Sequence, residues 1–270
     1  RPGVMARLGM EPEALRERFP RLIICSITGY GQTGPMAALP GHDLGYVGLA
    51  GAMSLGQRRE GVADLPGLQT ADVGGGALTA AMRICAALFQ RTKTGQGDWL
   101  DVSMTEGVLP FVLPAFSNYV ASGEVMAPGA DVLTGASANY QVYRCKCGGA
   151  VAVAPLEPKF WNVLQRIVGE VDMNKEALGA LFATRTRDEW ESELGDACVT
   201  PILELSELAS HPQHAARGAF TGQGQSLRVA HPFPTEPGCA NLSAPALGEH
   251  TEVELARVGV ELSALDGGES

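Results

Sequence analysis

The stretch ADVGGGALTAAMRICAALFQRTKTGQGDWLDVSM, residues 71–104, decides the fold class. Its first part is Ala-rich, and Asp72 has the chemistry of a helix N-cap. Arg91 and Lys93 stand near the far end, where cations suit the carbonyl end of the helix dipole, and Gly95 is suited to end the helix. This reads as one long helix. DWLDVSM (98–104) reads as a short strand. Upstream, RLIICSITGYG (21–31) is an apolar run rich in isoleucine, closed by Gly29 and Gly31: a buried strand, then a loop. Helices alternating with short apolar strands predict an α/β fold with a parallel sheet.

Outward from this unit, EPEALRERF (11–19) has helical spacing with Pro12 in its first turn. Residues 43–55 read as a helix weakened by Gly45, Gly48 and Gly51, and residues 57–70 as a loop. TEGVLPFVLPAFSNYVAS (105–122) reads as a helix interrupted at Pro110 and Pro114. Residues 122–139 are Gly/Ala/Pro-rich and nearly uncharged, a linker. YQVYRCKCGGAVAVA (140–154) alternates and turns at Gly148-Gly149, a β-hairpin. LEPKFWNVLQRIVG (156–169) is an amphipathic helix, and TRDEWESELG (186–195) a helix with a Thr N-cap at Thr186 or earlier. Helical pieces are expected at 201–209 and 211–217. Residues 221–245 read as irregular with a strand at SLRVA, and the tail APALGEHTEVELARVGV ends in a helix.

The 270 residues are 45% hydrophobic and 19% charged, which describes a globular chain. A formal charge of −10 argues against a general nucleic-acid binder. Any anionic ligand then needs a local basic cluster or backbone amides. Cys145 and Cys147 form a C-x-C without a second pair at zinc-finger spacing, so the six cysteines read as thiols of a reduced compartment. No apolar run suggests a membrane span, which needs about 20 residues. RPGVMARLGM (1–10) reads as the interior of a longer protein, so a targeting signal is not readable.

Few residues carry chemistry. His42, in LPGHDLGYVGLAG (39–51), stands at the mouth of an apolar segment, as a structural histidine or a general base. Asp72, before Gly74–Gly76, is either a helix cap or a carboxylate beside bare amides that suit an anion. Glu157, between an apolar strand and a helix begun by Pro158, is either a functional carboxylate or helix-start electrostatics. Arg7 and Tyr46 are candidates for ligand contact, or plain surface and packing residues. The GYGQTGP loop (29–35) is neither a phosphate loop nor a dinucleotide fingerprint, and no nucleophile elbow or metal-ligand cluster is present, so no metal is expected.

Taken in order, these segments resemble something. RPGVMARLGM, RLIICSITGYGQTGP, PGHDLGYVGLAG, ADVGGGALTAAMRICAAL, RTKTGQGDWLDVSMTEG, YQVYRCKCGGAVAVAPLEPKFW, DACVTPILELSEL, HPQHAARGAF and APALGEHTEVELARVGV resemble the family III CoA-transferases (CaiB/BaiF), over nearly the whole chain. The resemblance is strongest to the α-methylacyl-CoA racemase branch, which carries GHD, an Asp before the Gly-rich turn, and Glu in an EP pair. TGASAN (134–139) and residues 57–67 depart from that pattern, and the family has a further N-terminal segment.

The resemblance implies a Rossmann-like large α/β domain (1–121, its N-terminal part missing), a linker (122–139), a smaller α+β domain (140–235) and a C-terminal return to the large domain (236–270). It implies an interlocked homodimer, an acyl-CoA substrate, no cofactor beyond the CoA moiety, and a cytoplasmic role in lipid metabolism. The implied chemistry is inversion of the α-carbon of a 2-methyl-branched acyl-CoA by two-base 1,1-proton transfer. His42 and Asp72 would be the acid–base pair, Glu157 would orient His42, and the Gly74–Gly76 amides would hold the enolate oxygen. Arg7, Gly41 and Tyr46 would bind CoA. The alternative is a CoA-transferase in which Asp72 is the nucleophile and His42 incidental. A third possibility is a catalytically silent chain.

Overall fold

A computed structural model describes residues 1–56, 58–230 and 245–260. By internal contacts the chain divides into two compact units, Arg1–Pro201 and Ile202–Ser270.

The first unit opens with two short helices, α1 (Val4–Arg7) and α2 (Pro12–Arg18), and then the strand β1 (Ile24–Thr28). After β1 come α3 (Asp43–Leu49) and the small ribbon β2 (Arg58–Arg59) and β3 (Val62–Ala63). A π-helix, Thr70–Leu78, runs directly into α4 (Thr79–Thr94), and β4 (Trp99–Ser103) follows. β1 and β4 pair in parallel, in register from Ile24–Trp99 to Thr28–Ser103. The predicted parallel connection is therefore present. Trp99 Nε1 donates to Ser26 Oγ at 2.9 Å across this pair.

Thr70–Thr94 is a 25-residue run that is long and apolar enough to cross a membrane by length and composition alone, which the sequence reading did not single out. Its basic side chains tie it to the strand layer. Arg83 donates to the Asp101 carbonyl, and Arg91 to the Arg21 carbonyl at 3.0 Å.

The glycines of the π-helix have a packing reason. They meet α5 (Met104–Ser122) backbone to backbone. A Cβ on Gly75 would fall on the Met104 carbonyl, and one on Gly107 would fall on the Gly75 carbonyl. A Cβ on Gly76 would lie 2.9 Å from Met104 Cγ. α5 is also longer than expected, because it runs unbroken through Pro110 and Pro114. Each proline removes one ladder bond. The Ser103 hydroxyl, accepting from the Glu106 amide at 3.2 Å, secures the helix start. We expect Gly107→Ala to cost about 1–3 kcal/mol through overpacking, read as a lower urea midpoint. Gly74→Ala should cost less, since its Cβ meets only the tip of the Phe111 ring, at 3.3 Å. Equal midpoints for the two variants would contradict this packing role.

Two hydrophobic cores lie along the first unit. One gathers Tyr46, Val47, Ala50, Ala71 and Val108. The other gathers Tyr143, Val151, Val153, Leu164, Leu178, Phe182, Trp190, Leu194 and Val199, among others. The predicted hairpin is present as β5 (Gln141–Arg144) and β6 (Ala150–Val153), in register from Gln141–Val153 to Arg144–Ala150. α6 (Pro158–Val168) and α8 (Arg187–Leu194) also match expectation, and Thr186 and Glu189 cap α8 reciprocally. α7 (Lys175–Phe182) was not foreseen, although Asn174 Oδ1 accepts from the Ala177 amide as an N-cap.

One expectation fails outright. The start of the helical piece at 201–209 is instead the end of strand β7 (Val199–Ile202), the third strand in the order β5-β6-β7. Val199, Thr200 and Ile202 are β-branched, and β6 offers an edge that the run extends. Just beyond β6, the Ala154 amide donates to the Cys198 carbonyl at 3.0 Å.

The hairpin turn places two different thiols two residues apart. Cys147 is exposed, and the amides of Arg187 and Gly149 beside its sulfur hold its thiol below the usual range. Burial pushes the Cys145 thiol up. Iodoacetamide at neutral pH should therefore label Cys147 well ahead of Cys145, read by peptide mass spectrometry. Earlier labelling of Cys145 would contradict this.

The second unit holds α9 (Pro212–Ala216), the ribbon β8 (Phe220–Thr221) and β9 (Arg228–Val229), and α10 (Thr251–Arg257). The expected boundary at 235/236 and most of the irregular stretch at its end lie outside the described residues. The hydrophobic cores change over between Val108 and Tyr143, across the expected linker, whereas the compact units divide later, at Pro201.

Candidate functional site

The Pro40-Gly41 turn delivers the chain into α3. His42 is the N-cap residue, with extended backbone (φ −136°, ψ 169°) and no side-chain capping bond. Its carbonyl accepts from the amides of Gly45 at 2.9 Å and Tyr46 at 3.3 Å. The imidazole is exposed and is not used to hold the helix.

The next residue makes the site. Asp43 Oδ1 accepts from the amides of Ala71 at 2.7 Å and Asp72 at 2.8 Å. The first turns of α3 and of the π-helix are thus joined by one carboxylate. His42 precedes that carboxylate, and Asp72 carries one of the amides it binds. The structure brings His42 and Asp72 onto joined helix starts, and both are exposed.

This corrects the reading of Asp72 as a helix cap. The helix starts at Thr70, with Gln69 in the cap position, and Asp72 is its third residue. The first amides of a helix lack partners within it. Asp43 Oδ1 accepts from two of those amides, and Gln69 O accepts from Val73 at 3.1 Å. Asp72 keeps its own carboxylate clear of that task.

The Gly74–Gly76 amides need the same correction. They lie past the first turn, and Gly75 and Gly76 are buried against α5, so they are not bare donors facing a ligand. Among the described residues, the amides of Asp43 and Leu44, next to His42, have no hydrogen-bond partner.

Tyr46 lies one turn into α3 and is 6% exposed. Its ring meets Tyr30 edge to face, with centroids 5.1 Å apart. A Cβ on Gly41 would lie 2.6 Å from Tyr46 Cε1 and 2.7 Å from Tyr30 Oη. Gly41 and Tyr46 are therefore a packing pair, Gly41 being small because two phenols press on it, and they stand behind the site rather than on its face. Burial pushes the Tyr46 phenol above its ordinary range, and Tyr30 and Asp72 add to that.

Arg7 ends α1 and is exposed. A cavity of about 330 Å³ lies between α1 and β1, lined by Val4, Cys25, Thr28 and Gln32 among others. Arg1 is part of its lining and Arg7 is not. Glu157 occupies the N-cap position of α6, exposed and with no side-chain capping bond. Among the described residues, no hydrogen bond or ion pair joins it to His42 or Asp72. A second, apolar cavity of about 290 Å³ begins where α3 ends, lined by Ala50, Leu55, Val112, Phe116, Tyr119 and Met126.

Asp43 is the residue that the sequence reading passed over. Its bonds leave no local signal, because its partners lie 28 and 29 residues away.

The family model for CoA-transferase family III matches residues 1–251. Human alpha-methylacyl-CoA racemase is 32% identical over 278 residues, covering 96% of this chain and 73% of that protein. Acetyl-CoA:oxalate CoA-transferase from Acetobacter aceti is 31% identical over 258 residues, covering 86% of this chain and 64% of that protein. The crystal structure of a CAIB/BAIF family protein from Brucella suis superposes with a TM-score of 0.77 at 26% identity, over 95% of this chain and 73% of that one. Racemases and CoA-transferases both stand among the relatives, and both are enzymes of acyl-CoA chemistry. The chain belongs to CoA-transferase family III.

Proposed function

We propose that the protein inverts the α-carbon of a 2-methyl-branched acyl-CoA. The observation that supports this reading is the joined helix starts: the residue after His42 binds the backbone amide of Asp72. A thioester acidifies its α-proton, yet the proton stays bound at neutral pH without help. One group must take the proton, and a group on the other face must return one. His42 and Asp72 do this, exchanging roles with the direction of reaction, which is worth about 10²–10⁴-fold. The unpartnered amides of Asp43 and Leu44 are the donors for the enolate oxygen that forms between the two steps. The apolar cavity at the far end of α3, about 10 Å along a seven-residue helix, suits a branched or fatty acyl chain.

The other roles belong to the same reading. Glu157 orients His42 in an interlocked homodimer. Arg7 meets the CoA phosphates, and no cofactor besides CoA takes part. The work is done in the cytoplasm.

A second reading is favoured by the exposed, uncapped Asp72 carboxylate and by the transferase relatives. In it, Asp72 attacks the thioester carbonyl and CoA leaves as thiolate, giving an acyl–Asp72 mixed anhydride. The thiolate then attacks the Asp72 carbonyl, releasing the first acid and forming an aspartyl-CoA thioester, from which CoA passes to the acceptor acid by the same two steps in reverse. The two readings part on one assay. A single epimer of a 2-methylacyl-CoA is incubated with enzyme and no acceptor acid. Racemisation predicts that optical activity decays to zero. If optical activity stays constant, and CoA moves once a free carboxylic acid is added, the racemase reading is wrong and the transferase reading is right.

A further inference from the structure

We propose that Asp43 is a positioning residue that sets the distance between His42 and Asp72. This rests on the reading of those two residues as the reacting pair.

Asp43 accepts two amides, and both bonds converge on the same oxygen, Oδ1, at 2.7 and 2.8 Å. One of those amides is that of Asp72 itself, so the bond fixes the residue that carries the reacting carboxylate. The other belongs to Ala71, which is fully buried in the first core and holds the clamp against the fold. On the other side, the clamp is one peptide away from His42. The imidazole makes no side-chain capping bond to α3. One turn later, buried Tyr46 backs the start of α3. Two reacting groups on separate helices are thus tied through a single side chain. Misplacement by about 1 Å can cost a reaction on the order of 10²-fold.

A plain stabilising cap makes a different prediction from a positioning residue. Removing a cap costs about 1 kcal/mol of stability and leaves the folded enzyme's turnover alone. Because one oxygen takes both bonds, an asparagine oriented with its amide oxygen inward keeps them both, while alanine loses both. The experiment compares Asp43→Ala, Asp43→Asn and Asp43→Glu at a temperature where each is folded, with Asp72→Ala as reference. Turnover and KM are measured on the acyl-CoA, and amide hydrogen exchange is followed over residues 70–73.

The expected result for Asp43→Ala is a fall in kcat of about 10–100-fold with little change in KM, and faster exchange at the Ala71 and Asp72 amides. Asp43→Asn should restore most of kcat and the slow exchange. Asp43→Glu, whose oxygen is displaced by one methylene, should lose about 10-fold in kcat, and it decides the matter if the alanine variant does not fold. Full kcat in folded Asp43→Ala or Asp43→Glu, with Asp72→Ala inactive, overturns the positioning role and leaves the pair reading standing. Full activity in Asp72→Ala overturns the pair reading and the proposal with it.

Discussion

His42→Ala is expected to stop inversion of the α-carbon, with a fall of about 10²–10⁴-fold, while leaving one epimer able to exchange its α-proton. The reason is the division of labour between two bases. Each epimer presents its α-proton to only one of them. Without the imidazole, the epimer whose proton faces Asp72 still loses it to that carboxylate and regains a solvent proton on the same face. The other epimer becomes inert. Asp72→Asn should show the mirror pattern, with exchange only in the epimer that faces His42. The check is deuterium uptake from D₂O, measured separately for each pure epimer. A transferase gives another outcome: His42→Ala keeps full CoA transfer, and Asp72→Asn abolishes it. Equal exchange of both epimers in either variant would contradict the two-base assignment.

The second large effect is on stability. Trp190 is 1% exposed in the second core, edge to face with Phe182 at 5.1 Å between centroids. Its Nε1–H donates to the Phe182 carbonyl at 2.9 Å. Trp190→Ala should cost about 3–5 kcal/mol, since it leaves a large cavity and a buried carbonyl without its partner. A domain is stable by only about 5–15 kcal/mol, so this removes a large share. Urea unfolding followed by circular dichroism measures it. A midpoint within about 1 kcal/mol of the parent protein would contradict the packing described for this core. Trp190→Phe, which keeps most of the ring volume but loses the donor, should fall between the two.

How much of this was legible depended on the range of the interaction. β1, α4 and β4 were legible because each writes its own local pattern: an isoleucine-rich run, an Ala-rich helix closed by Gly95, and a short apolar strand. The Thr186 cap was legible because its partner Glu189 is three residues away. The strand at Val199–Ile202 was not, because its conformation is set by an edge that β6 presents from elsewhere in the chain. The run through Pro110 and Pro114 was not, because the contact of Gly75 with Gly107 is tertiary. The site divides in the same way. His42 and Asp72 stood out by residue type and motif, but the link between them is a pair of hydrogen bonds to Asp43 from residues 71 and 72. The glycine triplet looked like a bare anion site because three absent side chains are visible in a sequence, whereas the helix that fills their place is not.

The most direct measurement of the central claim is solvent deuterium uptake at the α-carbon by the unmodified enzyme. The enzyme is incubated with one epimer of a 2-methylacyl-CoA in D₂O, without acceptor acid, and product is read by mass spectrometry and chiral separation. Two-base proton transfer predicts that molecules inverted in the initial turnovers carry one deuterium at the α-carbon. Inverted product without deuterium, or neither inversion nor uptake in an enzyme that transfers CoA to a free acid, would contradict it.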